Sequence, residues 1–131
     1  MTYFNDIIGD MLTKIRNGYR SNILSIIHIN SIQCNKILDI LYEEGYIRGY
    51  KLINNNHIEI MLKYINGKPT INQIIRISKP GRRIYYSVEE IKELITNNQN
   101  ICYIVSTSKG IISSKKVIEY NVSGEILCKI I

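Results

Sequence analysis

The run Ile101-Cys102-Tyr103-Ile104-Val105 passes straight into Ser106-Thr107-Ser108-Lys109-Gly110, and that junction limits the fold more than any other segment. An unbroken apolar run this short, rich in β-branched and aromatic residues, suits a strand buried in a sheet. Its far end then carries three hydroxyls, an ammonium and a glycine to the sheet's rim. Hydroxyls donate and accept hydrogen bonds, lysine can meet a phosphate, and glycine admits a close backbone. Such a corner suits the backbone and base edges of a nucleic acid better than an apolar small molecule.

The charge points the same way. Seventeen basic residues against eleven acidic ones leave a net charge of +6, so RNA or DNA is the first partner to consider. Residues 1–65 hold seven Lys/Arg and six Asp/Glu, whereas residues 66–131 hold ten and five. The electrostatic footprint therefore lies in the second half.

With 131 residues and 45% of them hydrophobic, the chain has enough apolar surface for one domain or two small ones. Global disorder is excluded on the same ground. No apolar run approaches the ~20 residues of a membrane span, and no membrane partner is expected. The start, Met1-Thr2-Tyr3-Phe4-Asn5-Asp6, lacks the basic opening and apolar centre of a signal peptide. Cys34, Cys102 and Cys128 are far apart and in no CxxC spacing, which reads as buried free thiols in a reducing compartment. Thirty isoleucines with no alanine and no tryptophan point to A+T-rich codon usage, since helix propensity would favour some alanine. An organelle genome or another A+T-rich genome fits.

Periodicity predicts an α+β chain with an N-terminal α-β-α-β-β unit over residues 1–65 and a mostly β unit over 66–131. Asp6 caps a first helix carrying Ile7, Ile8, Met11, Leu12 and Ile15, which ends near Gly18. A strand follows over Ile23–Ile29, then a helix capped by Ser31 and stopped at Gly45. Two strands, Tyr46–Ile53 and Ile58–Tyr64, flank a turn at Asn54-Asn55-Asn56. Asn66-Gly67-Lys68-Pro69 is the clearest break. Beyond it, strands are predicted over Ile71–Ile77 and Arg82–Tyr86, and a short helix opens with the capping box Ser87-Val88-Glu89-Glu90. Strands Ile101–Val105 and Glu125–Ile130 flank a polar connection, Ser113–Ser123, with room for a helical turn.

Lys68, Arg76, Lys79, Arg82 and Arg83 place five positive charges within sixteen residues, with no acid among them. They interleave with Pro80-Gly81 and with Tyr85-Tyr86, aromatic faces on which an unstacked base can rest. The bland reading is a solvated basic surface with two packing tyrosines. Thr13, Arg16 and Arg20 share a helix face away from the isoleucine stripe, and Asn17-Gly18 lies beside them. A merely solvated face is the plain alternative there too.

Enzyme chemistry finds little purchase. Ser106-x-x-Lys109 has the spacing of a serine/lysine acyl-transfer pair, but that mechanism also needs an SDN element and a KTG strand. Here Ser108-Lys109-Gly110 lacks the threonine, and no SDN occurs. His28 and His57 sit in no ligand-spaced motif, and Glu43-Glu44 and Glu89-Glu90 read as helix-terminal surface pairs. Gly67-Lys68-Pro69 is no phosphate-binding loop, and Asn121-Val122-Ser123 is a glycosylation sequon only in a secreted chain. No catalytic residue, metal, cofactor or small-molecule substrate is expected.

Several segments, in order, resemble a known family: the eighth protein of the small ribosomal subunit, in its bacterial and organellar form. Asp10-Met11-Leu12-Thr13-Lys14-Ile15-Arg16-Asn17-Gly18 is similar to its opening helix, and Glu43-Glu44-Gly45-Tyr46-Ile47 to its second helix end. Leu62-Lys63-Tyr64 resembles the strand closing its first domain, and Ser78-Lys79-Pro80-Gly81-Arg82-Arg83-Ile84-Tyr85 its proline-glycine turn. Ser106 to Gly110 resembles its most diagnostic motif, and Gly124-Glu125-Ile126-Leu127-Cys128 its closing strand.

The resemblance implies an N-terminal α/β domain packed against a mostly β C-terminal one, in a ribosomal, non-enzymatic protein that binds the central domain of small-subunit rRNA at an irregular internal loop, early in assembly, beside neighbouring ribosomal proteins. It also allows repression of the protein's own messenger RNA. It implies that Ser106, Thr107 and Ser108 contact the distorted RNA core, and that Lys109 and Gly110 lie against its backbone. Tyr85 would support that surface beside Lys79, Pro80, Gly81, Arg82 and Arg83. Gly124 would adjoin the motif, with Glu125 orienting neighbouring donors, and Thr13, Arg16 and Asn17 would touch a second RNA segment. Departures from the family pattern fall at Ser123-Gly124, where two glycines are usual, at Asn98-Gln99-Asn100-Ile101 and at Lys115-Lys116-Val117-Ile118. They bear on loop shape and peripheral contacts. Location on a ribosome follows, in a mitochondrion- or plastid-type organelle or in the cytoplasm of an organism with an A+T-rich genome.

Overall fold

The computed structural model describes residues 6–131; the opening segment read against a signal peptide, apart from Asp6, lies outside the described residues. The chain divides into two compact units, Met1–Asn72 and Gln73–Ile131.

In the first unit, α1 (Ile7–Arg20) begins where the Asp6 carboxylate accepts a hydrogen bond from the Gly9 amide at 3.2 Å. It buries Met11, Leu12, Ile15, Gly18 and Tyr19. Gly18 does not stop this helix, as its sequence position predicts. A Cβ there would lie 2.8 Å from Leu62 Cδ1 and 3.1 Å from Ile26 Cγ2, so the glycine serves close packing and the helix runs on to Arg20. After β1 (Ser25–Ile29), Ser31 caps α2 (Ile32–Glu43), which buries Cys34, Ile37, Leu38, Ile40 and Leu41. Gly45, at φ +81°, ends it: the Tyr46 amide reaches the Leu41 carbonyl at 2.7 Å and the Gly45 amide reaches Tyr42. That pairing is the Schellman ending that favours glycine.

Strands β2 (Ile47–Leu52) and β3 (His57–Leu62) complete a sheet in the order β1-β3-β2, antiparallel throughout. The expected boundary after residue 65 shifts. β4 (Tyr64–Ile65) turns back through Asn66 and Gly67, both at positive φ, into β5 (Lys68–Pro69). Left-handed residues at both centres make a type I′ hairpin turn rather than a linker. Thr70 then donates its hydroxyl to the Tyr46 carbonyl at 2.6 Å. The buried Tyr19 hydroxyl, which donates to the same carbonyl at 2.7 Å, accepts from the Lys63 amide at 3.2 Å. These bonds keep residues through Asn72 with the first unit.

The second unit comprises β6 (Ile74–Arg76), β7 (Tyr85–Tyr86), α3 (Val88–Asn97), β8 (Cys102–Thr107), β9 (Gly110–Ser113), α4 (Ser114–Tyr120) and β10 (Gly124–Ile130). The sheet order is β6-β10-β8-β9, and β7 pairs with the opening of β10. Ile91, Tyr103, Val105, Ile112, Val117 and Ile126 form its apolar core. The Ser87–Glu90 capping box forms as predicted. The connection Ser113–Ser123 holds the helical turn it had room for, as α4, and the strand β9 before it was not predicted. Ile111-Ile112 is too short an apolar pair to announce β9, and α4 is held by its fully buried Val117 and by the Ser114 hydroxyl, which accepts from the Tyr103 amide at 3.2 Å. The chain is α+β, α-β-α-β-β at its start and strand-rich with two helices at its end.

Candidate nucleic-acid interface

Strand β8 ends in a two-residue hairpin. Thr107 pairs with Gly110, so Ser108 and Lys109 form the exposed tip. Gly110 sits at φ +106°, a conformation that strains any residue with a Cβ. The Thr107 hydroxyl accepts from the Lys109 amide at 3.0 Å and donates to the Gly110 carbonyl at 2.8 Å. Its single proton is thus spent inside the turn, leaving only acceptor capacity outward. Thr107 thus shapes the tip. The hydroxyls of Ser106 and Ser108 make no hydrogen bond among the described residues.

Sheet register lines up the neighbours. Glu125 on β10 stands opposite Tyr85 on one side and Ser106 on the other, and Ser106 stands opposite Ile111. Residues directly opposite share a face at about 5 Å between Cβ atoms, so Tyr85, Glu125, Ser106 and Ile111 form one row. The next row is Tyr86, Gly124, Thr107 and Gly110. A Cβ on Gly124 would overlap the Ser106 carbonyl oxygen and crowd Thr107 Cγ2. Gly124 lets β10 approach the motif strand closely, and that contact requires glycine. Tyr85 is 65% exposed at the end of its row, whereas Tyr86 packs against the core.

The basic segment forms a second hairpin. Lys79 and Arg82 exchange backbone hydrogen bonds of 2.9 Å each, closing a turn through Pro80 and Gly81. Proline followed by a glycine at φ +82° is the type II arrangement. Residues Lys79 to Arg83 are all exposed. The side chains of Lys79 and Arg82 make no hydrogen bond or ion pair among the described residues. Arg83 instead reaches Glu125, with Nη1 3.3 Å from Oε2 and 3.4 Å from Oε1. Glu125 is buried, so its carboxylate cannot meet a phosphate and instead holds the guanidinium beside the row that contains Ser106.

Thus the second unit brings together Ser106 to Gly110, Gly124, Glu125, Tyr85 and the Lys79–Arg83 hairpin. Thr13, Arg16 and Asn17 belong to α1 of the first unit, with Thr13 and Asn17 exposed and Arg16 half-buried. Sequence reasoning missed Ser78, a buried serine at the base of the basic hairpin whose hydroxyl accepts from the Ile84 amide at 2.9 Å. The only signal for it was a small polar residue directly before the basic turn. Predicted strand Arg82–Tyr86 shrinks to Tyr85–Tyr86 for the same reason, because residues 79–83 close on themselves.

Chemically, the surface offers free hydroxyls, exposed cations and an exposed aromatic face. That set can bind phosphates and stack or hydrogen-bond a base. Among the described residues no three His, Cys, Asp or Glu side chains gather as metal ligands.

Known proteins resemble this chain along nearly its whole length. Residues 6–131 match the family described as ribosomal protein S8. Small ribosomal subunit protein uS8 of Rickettsia typhi is 42% identical over 129 residues, spanning 95% of this chain and 96% of its own. Its counterpart in Zymomonas mobilis is 43% identical over 129 residues, spanning 96% and 97%. The matched residues 6–131 span both units. The chain is a member of the ribosomal protein S8 family.

Proposed function

We propose that this protein is a non-enzymatic structural component of the small ribosomal subunit, and that it binds small-subunit rRNA through the β8–β9 tip and the basic hairpin. One observation carries the reading beyond family membership: the exposed Ser108–Lys109 tip shares one sheet with Tyr85 and the Arg83–Glu125 pair. Cations at 79, 82 and 83 attract the RNA by counterion release. Ser106 and Ser108, with unspent hydroxyl protons, discriminate an irregular stem in the central domain from regular duplex, since hydroxyls reach ribose and base edges. Lys109 and Gly110 lie against the backbone, and Thr13, Arg16 and Asn17 touch a second RNA segment. Binding of this kind orders the RNA before other small-subunit proteins join. Codon-driven composition, thirty isoleucines and no alanine, supports an organelle or an organism with an A+T-rich genome as the setting.

Filter binding of the full chain to a transcript of the central-domain stem tests this. Ser108→Ala should weaken cognate binding by about 1–3 kcal/mol, the scale of a lost hydrogen bond in a desolvated contact, while leaving a scrambled stem unaffected. Lys79→Ala should weaken both and lower the salt slope by about one. Equal loss on both stems with Ser108→Ala would refute the assignment of that hydroxyl.

A further inference from the structure

We propose that Ser78 is a positioning residue for RNA binding, one that fixes the Lys79–Arg83 hairpin against β10 and so sets its cations relative to the Ser108 tip. The inference rests on the functional reading above and deepens it.

Ser78 is 2% exposed, so it cannot touch RNA itself. Its hydroxyl accepts from the Ile84 amide at 2.9 Å and lies 3.4 Å from the Ile84 carbonyl, spanning both polar groups of the residue that closes the loop. Its own amide points at the carbonyls of Ile126 and Leu127, at 3.2 and 3.4 Å. That sharing arises where β10 bulges between Ile126 and Cys128. Ile84 completes the clamp, because its carbonyl accepts from the Ile126 amide at 2.9 Å. Arg76 Nε donates to the Ser78 carbonyl at 2.5 Å from the preceding strand.

Both stems of the loop are thereby tied to one buried residue of the central strand, Ile126. Between them, Lys79 to Arg83 are held by the Lys79–Arg82 backbone pair and by Arg83 on Glu125. Without the Ser78 hydroxyl the Ile84 amide loses its partner, and the loop's base hinges. A set of cations must be held within about 0.5 Å of its productive geometry to act as a unit; a hinged loop loses affinity through the entropy of ordering it on binding.

The test measures affinity of the full chain for the central-domain stem as a function of salt, using wild type, Ser78→Ala, Lys79→Ala and the double variant. With Ser78→Ala still folded by circular dichroism, binding should fall about tenfold, equal to about 1.4 kcal/mol. Its salt slope should drop by about one or more, and adding Lys79→Ala should bring little further loss, as coupled positions do. A folded Ser78→Ala with wild-type affinity and slope overturns the inference, and so does full additivity with Lys79→Ala. A wild-type chain that does not bind the stem overturns the functional reading itself, and this inference with it. Should Ser78→Ala not fold, hydrogen exchange on the wild-type chain decides. An Ile84 amide as protected as the amides within β10 supports the clamp, and one exchanging as fast as Gly81 refutes it.

Discussion

The Arg83 guanidinium lies 3.3 Å from the carboxylate of Glu125, and the two side chains are 58% and 11% exposed. One end of this pair is in water and the other is nearly dry, so the two substitutions that break it are not equivalent. Arg83→Ala leaves a buried carboxylate without its counter-charge and should destabilise the second unit by about 1 kcal/mol, the low end for a lost charged partner because the arginine is screened. Glu125→Gln should be milder in stability. It should, however, release Arg83 for non-specific contacts, raising affinity for a scrambled stem while narrowing the preference for the cognate one. Urea unfolding and paired filter binding read both effects; an unchanged preference in Glu125→Gln would count against an orienting role.

Thr107→Val keeps shape and strand preference but removes both hydrogen bonds of the hairpin tip. The expected loss is about 1–2 kcal/mol, near 1 per bond, with faster hydrogen exchange at the Lys109 amide. Thr107→Ser, retaining the hydroxyl, should restore most of it. Identical midpoints for valine and wild type would show that the turn does not depend on this hydroxyl.

Gly124→Ala should disturb the contact between β10 and β8. The new methyl group would overlap the Ser106 carbonyl oxygen, and backbone cannot yield as a side chain tip does. Overpacking of this kind typically costs about 1–3 kcal/mol. Chemical denaturation should show it, together with weaker cognate RNA binding as Ser106 shifts. Gly67→Ala is a useful contrast, since nothing lies within 4 Å of its added Cβ and only its φ of +76° opposes the change.

His28 makes the first unit sensitive to acid. The imidazole is buried opposite Ile58 on β3, with Nε2 3.8 Å from Cys34 Sγ. Burial, and then the charge of Lys14, lower its pKa below the usual 6.5, against smaller opposing pulls from the Ile7 backbone and then Asp10. The unfolded chain therefore takes up the proton first. Stability is complete above about pH 6.5 and declines as pH falls through the depressed folded value, because the unfolded state binds more protons there. Urea midpoints followed from about pH 7.5 to about pH 5 should fall more steeply for wild type than for His28→Phe. Parallel profiles would mean that this imidazole is not what titrates.

All three thiols are buried, and burial pushes Cys128 up to about 12 and raises Cys34 as well. Thiolate is the reactive form. Iodoacetamide at neutral pH should leave Cys34 and Cys128 unmodified in the folded protein and alkylate both in denaturant. Rapid labelling of the native chain at either would contradict their burial.

Local chemistry was enough to determine much of this protein. Period and caps placed α1, α2 and α3, because Asp6, Ser31 and Ser87 bond amides only three residues away. The run into Ser106 announced a buried strand with a polar end, and Pro80-Gly81 announced the basic turn, since both depend on neighbours in sequence. Tertiary structure decided what each polar atom is for. Thr107 and Ser108 are chemically alike and adjacent, yet one hydroxyl closes a turn while the other is left outward, and strand pairing with Gly110 makes that choice. Gly18 reads as a helix stop and is a packing contact with Leu62, forty-four residues on. Asn66-Gly67 reads as the start of a break between units and is a hairpin turn, held in the first unit by Thr70 and Tyr19. Ser78 and Glu125 acquire their roles only when β10 lies beside them. Hydrogen-bond partners brought together from distant sequence positions leave no periodic trace in the chain, so they become visible only once the sheet is assembled.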